Sequence, residues 1–129
     1  IVPSETGAAR AIGLVIPELK GKFGCMAFRV PTPTVSVVDF TAVLNKEASK
    51  DDIRAAMLEY ANGSMRGILS VTDEPLVSTD LRGTEYSSVF SSLDTLVIGN
   101  MVKVVAWYDN EWGYACRLAD LAAMLAKSL

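Results

Sequence analysis

Three places in this sequence carry side chains suited to holding a charged or amide-bearing ligand. Thr6-Gly7 stands where a helical pattern opens. The free amides of a helix N-terminus, with a hydroxyl beside them, suit a phosphate, and a plain N-cap is the other reading of the same pair. Arg29 lies in an otherwise apolar strand, Met26-Ala27-Phe28-Arg29-Val30. A guanidinium there must find an anion, either a ligand gripped bidentately or the carboxylate of a structural ion pair. Asn110 falls where a strand gives way to a helix, so its amide can offer donor and acceptor together to a ligand or cap the helix that follows. The aromatic residues around it, Trp107, Tyr108, Trp112 and Tyr114, read as core or interface filling ahead of a stacking platform.

What is missing narrows the chemistry further. The sequence has no histidine, so the commonest general base near neutral pH is absent. Cys25 and Cys116 are the two cysteines, too few for a disulfide framework, and without a histidine to make a thiolate they read as inert packing residues. No Cys/His spacing resembles a zinc site, and G-x-G-x-x-G, G-x-x-x-x-G-K and H-E-x-x-H are all absent. Twelve Lys+Arg against fifteen Asp+Glu give a formal charge of -3, which argues against nucleic-acid binding. The apolar stretches fall short of the ~20 residues that span a bilayer, and no export signal opens the chain. A soluble protein, neither exported nor membrane-bound, is expected. The sequence opens on Ile1 without an initiating Met, as expected of a segment from a longer protein.

The elements that must position these groups follow from periodicity. Ser4 or Thr6 can cap a helix over residues 4–19 with Ala8, Ile12, Val15 and Leu19 on one face, ended or kinked by Pro17. A strand over 26–30 is stopped by Pro31-Thr32-Pro33. Val35 to Leu44 is apolar on both alternating faces and is expected to be a strand covered on two sides. Ser49 and Asp52 form a capping-box-like start to a helix carrying Ile53, Ala56, Met57 and Tyr60 and stopped by Asn62-Gly63. Short strands are expected at 67–71, 76–80, 86–91 and 95–98, and a strong one from Met101 to Tyr108. Asp109 or Asn110 then caps a final helix with two apolar faces, expected to pack on more than one side. With 129 residues, half of them hydrophobic, the pattern fits one α+β domain without a linker: a mixed, largely antiparallel sheet flanked by helices, ending in a long C-terminal helix.

Taken together, several segments are far more specific than any one. Thr6-Gly7-Ala8-Ala9, Gly21-Lys22, Met26-Ala27-Phe28-Arg29-Val30-Pro31-Thr32-Pro33, Val35-Ser36-Val37-Val38-Asp39, Arg66-Gly67-Ile68-Leu69, Val77-Ser78-Thr79-Asp80 and Trp107-Tyr108-Asp109-Asn110-Glu111-Trp112-Gly113-Tyr114 occur in this order. Over essentially all of residues 1–129 the chain resembles the C-terminal part of the catalytic domain of phosphorylating glyceraldehyde-3-phosphate dehydrogenase. The erythrose-4-phosphate dehydrogenases share most of the pattern.

The resemblance implies roles for particular residues. Thr6 and Gly7 match the pair that holds a phosphate group of the family's substrates, and Arg29 matches the arginine that reaches the phosphate sites. Asn110 matches the asparagine that hydrogen-bonds the nicotinamide carboxamide, and Tyr114 the tyrosine beside the nicotinamide ring. The implied reaction converts glyceraldehyde 3-phosphate and inorganic phosphate to 1,3-bisphosphoglycerate with NAD or NADP. In it a thiolate attacks the aldehyde, hydride passes from the hemithioacetal to the nicotinamide, and phosphate releases the acyl group.

The family's Ser-Cys-Thr-Thr-Asn nucleophile segment, its histidine base and its N-terminal dinucleotide-binding Rossmann domain are not in this sequence. Neither Cys25, usually a glycine position, nor Cys116, usually polar, inherits the nucleophile's role. The chain alone is therefore expected to be inactive and to need the missing N-terminal half. The resemblance also implies a cytoplasmic homotetramer, with the stretch Asp73 to Ser78 pointing to the photosynthetic branch and a plastid stroma as the alternative. A stand-alone binding or assembly module that kept the fold and lost catalysis is the competing expectation, as is an erythrose-4-phosphate dehydrogenase fragment. The apolar strands are expected to favour self-association.

Overall fold

The computed structural model describes residues 1–128, with backbone alone at Ala9 and Arg10. Two compact units result, the first Ile1–Pro33 and the second running from Thr34 onward. The division falls at the Pro31-Thr32-Pro33 break.

In the first unit, β1 (Val2–Ser4) pairs antiparallel with β2 (Ala27–Arg29), setting Val2 opposite Arg29 and Ser4 opposite Ala27. Between them lies α1 (Ala8–Val15), followed by a 3-10 turn Pro17–Leu19. The helix is shorter than the expected 4–19. Pro3 disfavours helical backbone at Val2, and pairing with β2 then draws Ser4 into a strand. At the other end Pro17 forces Ile16 out of the helix, to φ -126° and ψ 84°, and the proline starts the new turn, where its missing N–H costs nothing. Cys25 is exposed and Cys116 half-buried. The packing role expected of Cys25 therefore fails, because the residue lies in the irregular segment ahead of β2.

The second unit is built on a four-stranded sheet in the order β3 (Ser36–Val43), β6 (Met101–Tyr108), β5 (Ser88–Ile98), β4 (Leu69–Thr72). The β3–β6 and β5–β6 pairs are antiparallel and β4–β5 is parallel. This is the mixed, largely antiparallel sheet that the α+β pattern implies. Its core is Val35, Leu69, Leu81, Val89, Phe90 and Val102. Val35 adopts φ +68°, a conformation costing a β-branched residue about 1–3 kcal/mol. Packing with Leu81, Val89 and Trp107 holds it there and sets the start of β3.

Three expectations are corrected in this unit. Residues Ser78–Leu81 form a 3-10 turn where a strand was expected over 76–80, because the Asp80 carboxylate accepts from the Val77 amide at 2.8 Å and closes the chain on itself. The strands expected at 86–91 and 95–98 are one strand with an insertion. From Ser91 opposite Val105 to Leu96 opposite Lys103, β5 advances five residues against two on β6. The extra residues are held locally: Ser91 Oγ donates to Asp94 at 2.6 Å, and Thr95 Oγ1 to the Ser91 carbonyl at 3.3 Å. Third, β3 is not covered on two faces, for Val37 and Val38, on opposite sides, are 50% and 44% exposed. As an edge strand it has β6 as its one neighbour, and its Asp39 pairs with Lys103 of β6 at 2.8 Å.

Helix α2 (Lys50–Asn62) starts as its sequence implies. The Asp52 amide donates to Ser49 Oγ at 3.1 Å, and the Ser49 amide to the Asp52 carboxylate at 2.8 Å. It packs on β4 and β5, and its Arg54 pairs with Asp73, which also accepts from Ser92 Oγ. Helix α3 (Trp112–Ser128) departs from expectation. Leu118, Leu121 and Leu125 are half or more exposed, so the face they form is not covered by the described residues. No helix among the described residues is long and apolar enough to cross a membrane.

Candidate functional site

The corner between β6 and α3 is built around one buried carboxylate. Asp109 is 5% exposed. Its Oδ1 accepts from the amides of Glu111 at 3.1 Å and Trp112 at 3.0 Å, and its Oδ2 accepts from the amide of Gly83 at 2.9 Å. The N–H groups of Trp112 and Gly83 hold its carboxyl below the usual carboxylate range. Gly83 sits at φ +77°, a left-handed conformation in which glycine carries no steric penalty.

Two more contacts fix the same corner. A Cβ at Gly113 would lie 3.0 Å from the Tyr86 carbonyl oxygen, so any side chain there would press the helix start away from the chain ahead of β5. One turn on, Arg117 Nη1 donates to Ser87 Oγ at 3.1 Å and to the Gly67 carbonyl at 3.3 Å, while its Nε donates to Asp120 at 2.9 Å.

Of the two candidate caps, then, Asp109 does the capping. Asn110 is exposed, and its side chain hydrogen-bonds none of the described residues. Tyr114, four residues on along the start of the helix, is 65% exposed. Asn110 and Tyr114 therefore lie within one helical turn of each other, with amide and phenol accessible.

In the first unit, Thr6 Oγ1 accepts from the Ala8 amide at 3.3 Å, leaving the hydroxyl proton free to donate. Gly7 is the N-cap of α1 with φ -74° and has no side chain to cap the helix, so the Thr6 hydroxyl is what meets its first amide. A Cβ at Gly7 would meet nothing within 4 Å. Neither backbone angle nor packing within the described chain calls for glycine at that position. Arg29 is exposed, and among the described residues it makes no ion pair or hydrogen bond. The structural ion pair, one of its two readings, is not formed among the described residues. The strand register puts Arg29 two positions, about 7 Å, along β2 from the residue opposite Ser4, away from the Thr6 end. Thr6 and Gly7 are thus together, and Arg29 stands at the other end of the strand pair. Among the described residues no cluster of His, Cys, Asp and Glu could hold a metal ion.

Sequence reasoning identified Asp109 as a possible cap and missed Gly83 and Arg117 as its supports. Both act through contacts with residues at least 26 positions away, and no local pattern encodes such a contact.

Residues 1–110 match the family described as the C-terminal domain of glyceraldehyde 3-phosphate dehydrogenase. The chain belongs to this family. A glyceraldehyde-3-phosphate dehydrogenase of Mycolicibacterium smegmatis is 57% identical over 129 residues, which are 100% of this chain and 38% of that protein. One from Geobacillus stearothermophilus is 55% identical over 127 residues, 98% of this chain and 38% of its own length. The chloroplastic glyceraldehyde-3-phosphate dehydrogenase A of Chlamydomonas reinhardtii is 54% identical over 128 residues, 98% of this chain and 34% of its own length. The chain therefore spans little more than a third of the curated relatives it matches, and as a member of the dehydrogenase family it corresponds to part of the enzyme.

Proposed function

We propose that this chain is the phosphate-holding and nicotinamide-orienting portion of a glyceraldehyde-3-phosphate dehydrogenase that works with NAD or NADP. The observation that carries the reading is that, among the described residues, Arg29 and Asn110 both lack the internal partners that would explain them. Arg29 pairs with no carboxylate among the described residues, and Asn110 has ceded the helix cap to Asp109. A solvent-facing guanidinium and an unpaired primary amide at a strand end are groups free to meet a ligand.

The residues at the β6–α3 corner fit a nicotinamide. The Asn110 amide offers a donor and an acceptor to a carboxamide, and Tyr114 offers an exposed ring one turn away. When bound, the cofactor supplies the hydride acceptor. Asn110 fixes the carboxamide so that one ring face is presented, and Tyr114 bounds the ring. The Arg29 guanidinium holds a phosphate oxygen pair, while the Thr6 hydroxyl and the Gly7 and Ala8 end of α1 favour phosphate through their dipoles and donors. The thiol nucleophile and the proton acceptor come from segments outside these residues, so the chain alone does not turn over substrate. The complete protein, like its family, works as a cytoplasmic tetramer on glyceraldehyde 3-phosphate and inorganic phosphate.

Titrating the isotopically labelled chain with inorganic phosphate tests the anion-holding half of this reading. Saturable shifts of the Gly7 and Arg29 amides, with a dissociation constant on the order of millimolar, are expected. If both amides stay still while the rest of the spectrum reports a folded chain, Thr6-Gly7 and Arg29 do not hold phosphate.

A further inference from the structure

We propose that Asp109 is a positioning residue for Asn110: its buried carboxylate ties the strand-to-helix corner to the Gly83 turn and so fixes the direction in which Asn110 presents its amide. The inference rests on the reading of Asn110 as the nicotinamide contact.

Capping α3 takes one oxygen, and Oδ1 alone supplies it to Glu111 and Trp112. A serine or asparagine caps a helix about as well as aspartate does, without the cost of burying a charge. The second oxygen explains the carboxylate. Oδ2 accepts from Gly83, 26 residues back in sequence, which contributes nothing to starting a helix and anchors the corner to a separate turn.

The geometry brackets Asn110 from both sides. Its preceding residue is anchored to Gly83, and the next two amides point back to the same carboxylate. Gly113, whose amide donates to the Asp109 carbonyl at 2.9 Å, lies against Tyr86. The backbone at Asn110 therefore has little freedom, although its exposed side chain hydrogen-bonds none of the described residues. Such an arrangement leaves only the side-chain torsions of Asn110 to be ordered when a ligand binds, and the ordering of a loose backbone segment is one of the costs it avoids.

Asp109→Asn separates the two jobs. It keeps an oxygen for the cap and presents an NH2 group to the Gly83 N–H, two donors facing one another. In the complete dehydrogenase carrying this chain, cofactor affinity is read by quenching of tryptophan emission during titration with NAD or NADP. Thermal melts check the fold. Four proteins are compared: the parent, Asn110→Ala, Asp109→Asn and the double variant.

Asn110→Ala should weaken cofactor binding about tenfold, the value of one well-made hydrogen bond. Asp109→Asn should weaken it about threefold to tenfold, and the double variant should bind no more weakly than Asn110→Ala alone, because Asp109 acts through Asn110. Amide exchange at Asn110 and Glu111 should quicken in Asp109→Asn. Should Asp109→Asn fail to fold, Asp109→Ser, which also keeps a capping oxygen, is read in the same way.

The proposal fails if Asp109→Asn leaves affinity unchanged while Asn110→Ala lowers it. It fails equally if the two effects add in full, which is the signature of a merely structural role. An Asn110→Ala variant with parent affinity removes the nicotinamide contact itself, and the positioning role falls with it.

Discussion

Arg29→Leu, made in the complete dehydrogenase, is expected to lower kcat/KM for the sugar phosphate by roughly 100- to 1,000-fold while leaving the melting temperature nearly unchanged. The size follows from the loss of two charge-assisted hydrogen bonds at about 1.5–3 kcal/mol each, partly offset because water replaces them. The unchanged stability follows from the structure. Arg29 is exposed and makes no ion pair or hydrogen bond among the described residues, so its removal strands no buried carboxylate, and surface changes of this kind stay within about 0.5 kcal/mol. Arg29→Lys should recover only part of the loss, since an ammonium is a point charge and not a planar fork. Steady-state kinetics beside thermal melts decide the matter. A Leu variant with parent kinetics, or one that loses activity only because it melts early, contradicts the role given to Arg29.

The second large effect lies in the core. Phe90 is 2% exposed on β5, a central strand, where it stands opposite Ala106 on one side and Val71 on the other. Truncating a buried phenylalanine to alanine costs about 3–5 kcal/mol through lost transfer energy and the cavity left behind. Domains of this kind are stable by only about 5–15 kcal/mol in all. With few fully buried side chains, this one has little to spare, so Phe90→Ala should leave it marginal or unfolded at 25 °C. Phe90→Leu, which fills more of the space, should cost far less, and Val43→Ala on the exposed edge almost nothing. Urea denaturation followed by circular dichroism measures all three. A Phe90→Ala midpoint close to the parent's would mean that the side chain is not the centre of the core.

What could be read from the sequence was what neighbouring residues decide among themselves. The start of α2 is an exchange between Ser49 and Asp52, three residues apart, and so it was legible. The end of α1 was equally legible, because Pro17 acts on the residue next to it. Thr6, Arg29 and Asn110 could be picked out by type, but their freedom from internal partners could not. That needed the knowledge that Asp109 takes the cap and that no carboxylate of the described residues pairs with Arg29.

The misses have two causes. The left-handed Val35 and the Asp109–Gly83 tie depend on segments remote in sequence, whereas the Ser78–Leu81 turn and the extra residues in β5 are held by side-chain contacts three or four residues apart, which the apolar pattern does not display. Val37 and Val38 on β3 and Leu118, Leu121 and Leu125 on α3 show the converse. Their apolar patterns imply a covering layer, and the described residues do not supply one.

The order of pairing in the sheet bears on how the chain reaches this state. A two-residue turn at Gly99-Asn100 joins β5 to β6, with Ile98 opposite Met101, so that hairpin can close within microseconds. β3 waits for the same partner across a far longer loop, since Val43 stands opposite Met101 as well, and its entropy of closure is correspondingly larger. On the ribosome β3 emerges well before β6 exists, and Val37, Val38, Phe40 and Val43 must pass that interval unpaired. Pulse-labelled hydrogen exchange during refolding should find Val97 and Val102 protected ahead of Val38 and Phe40. The first-made strand of the sheet is thus among the last to gain its neighbour.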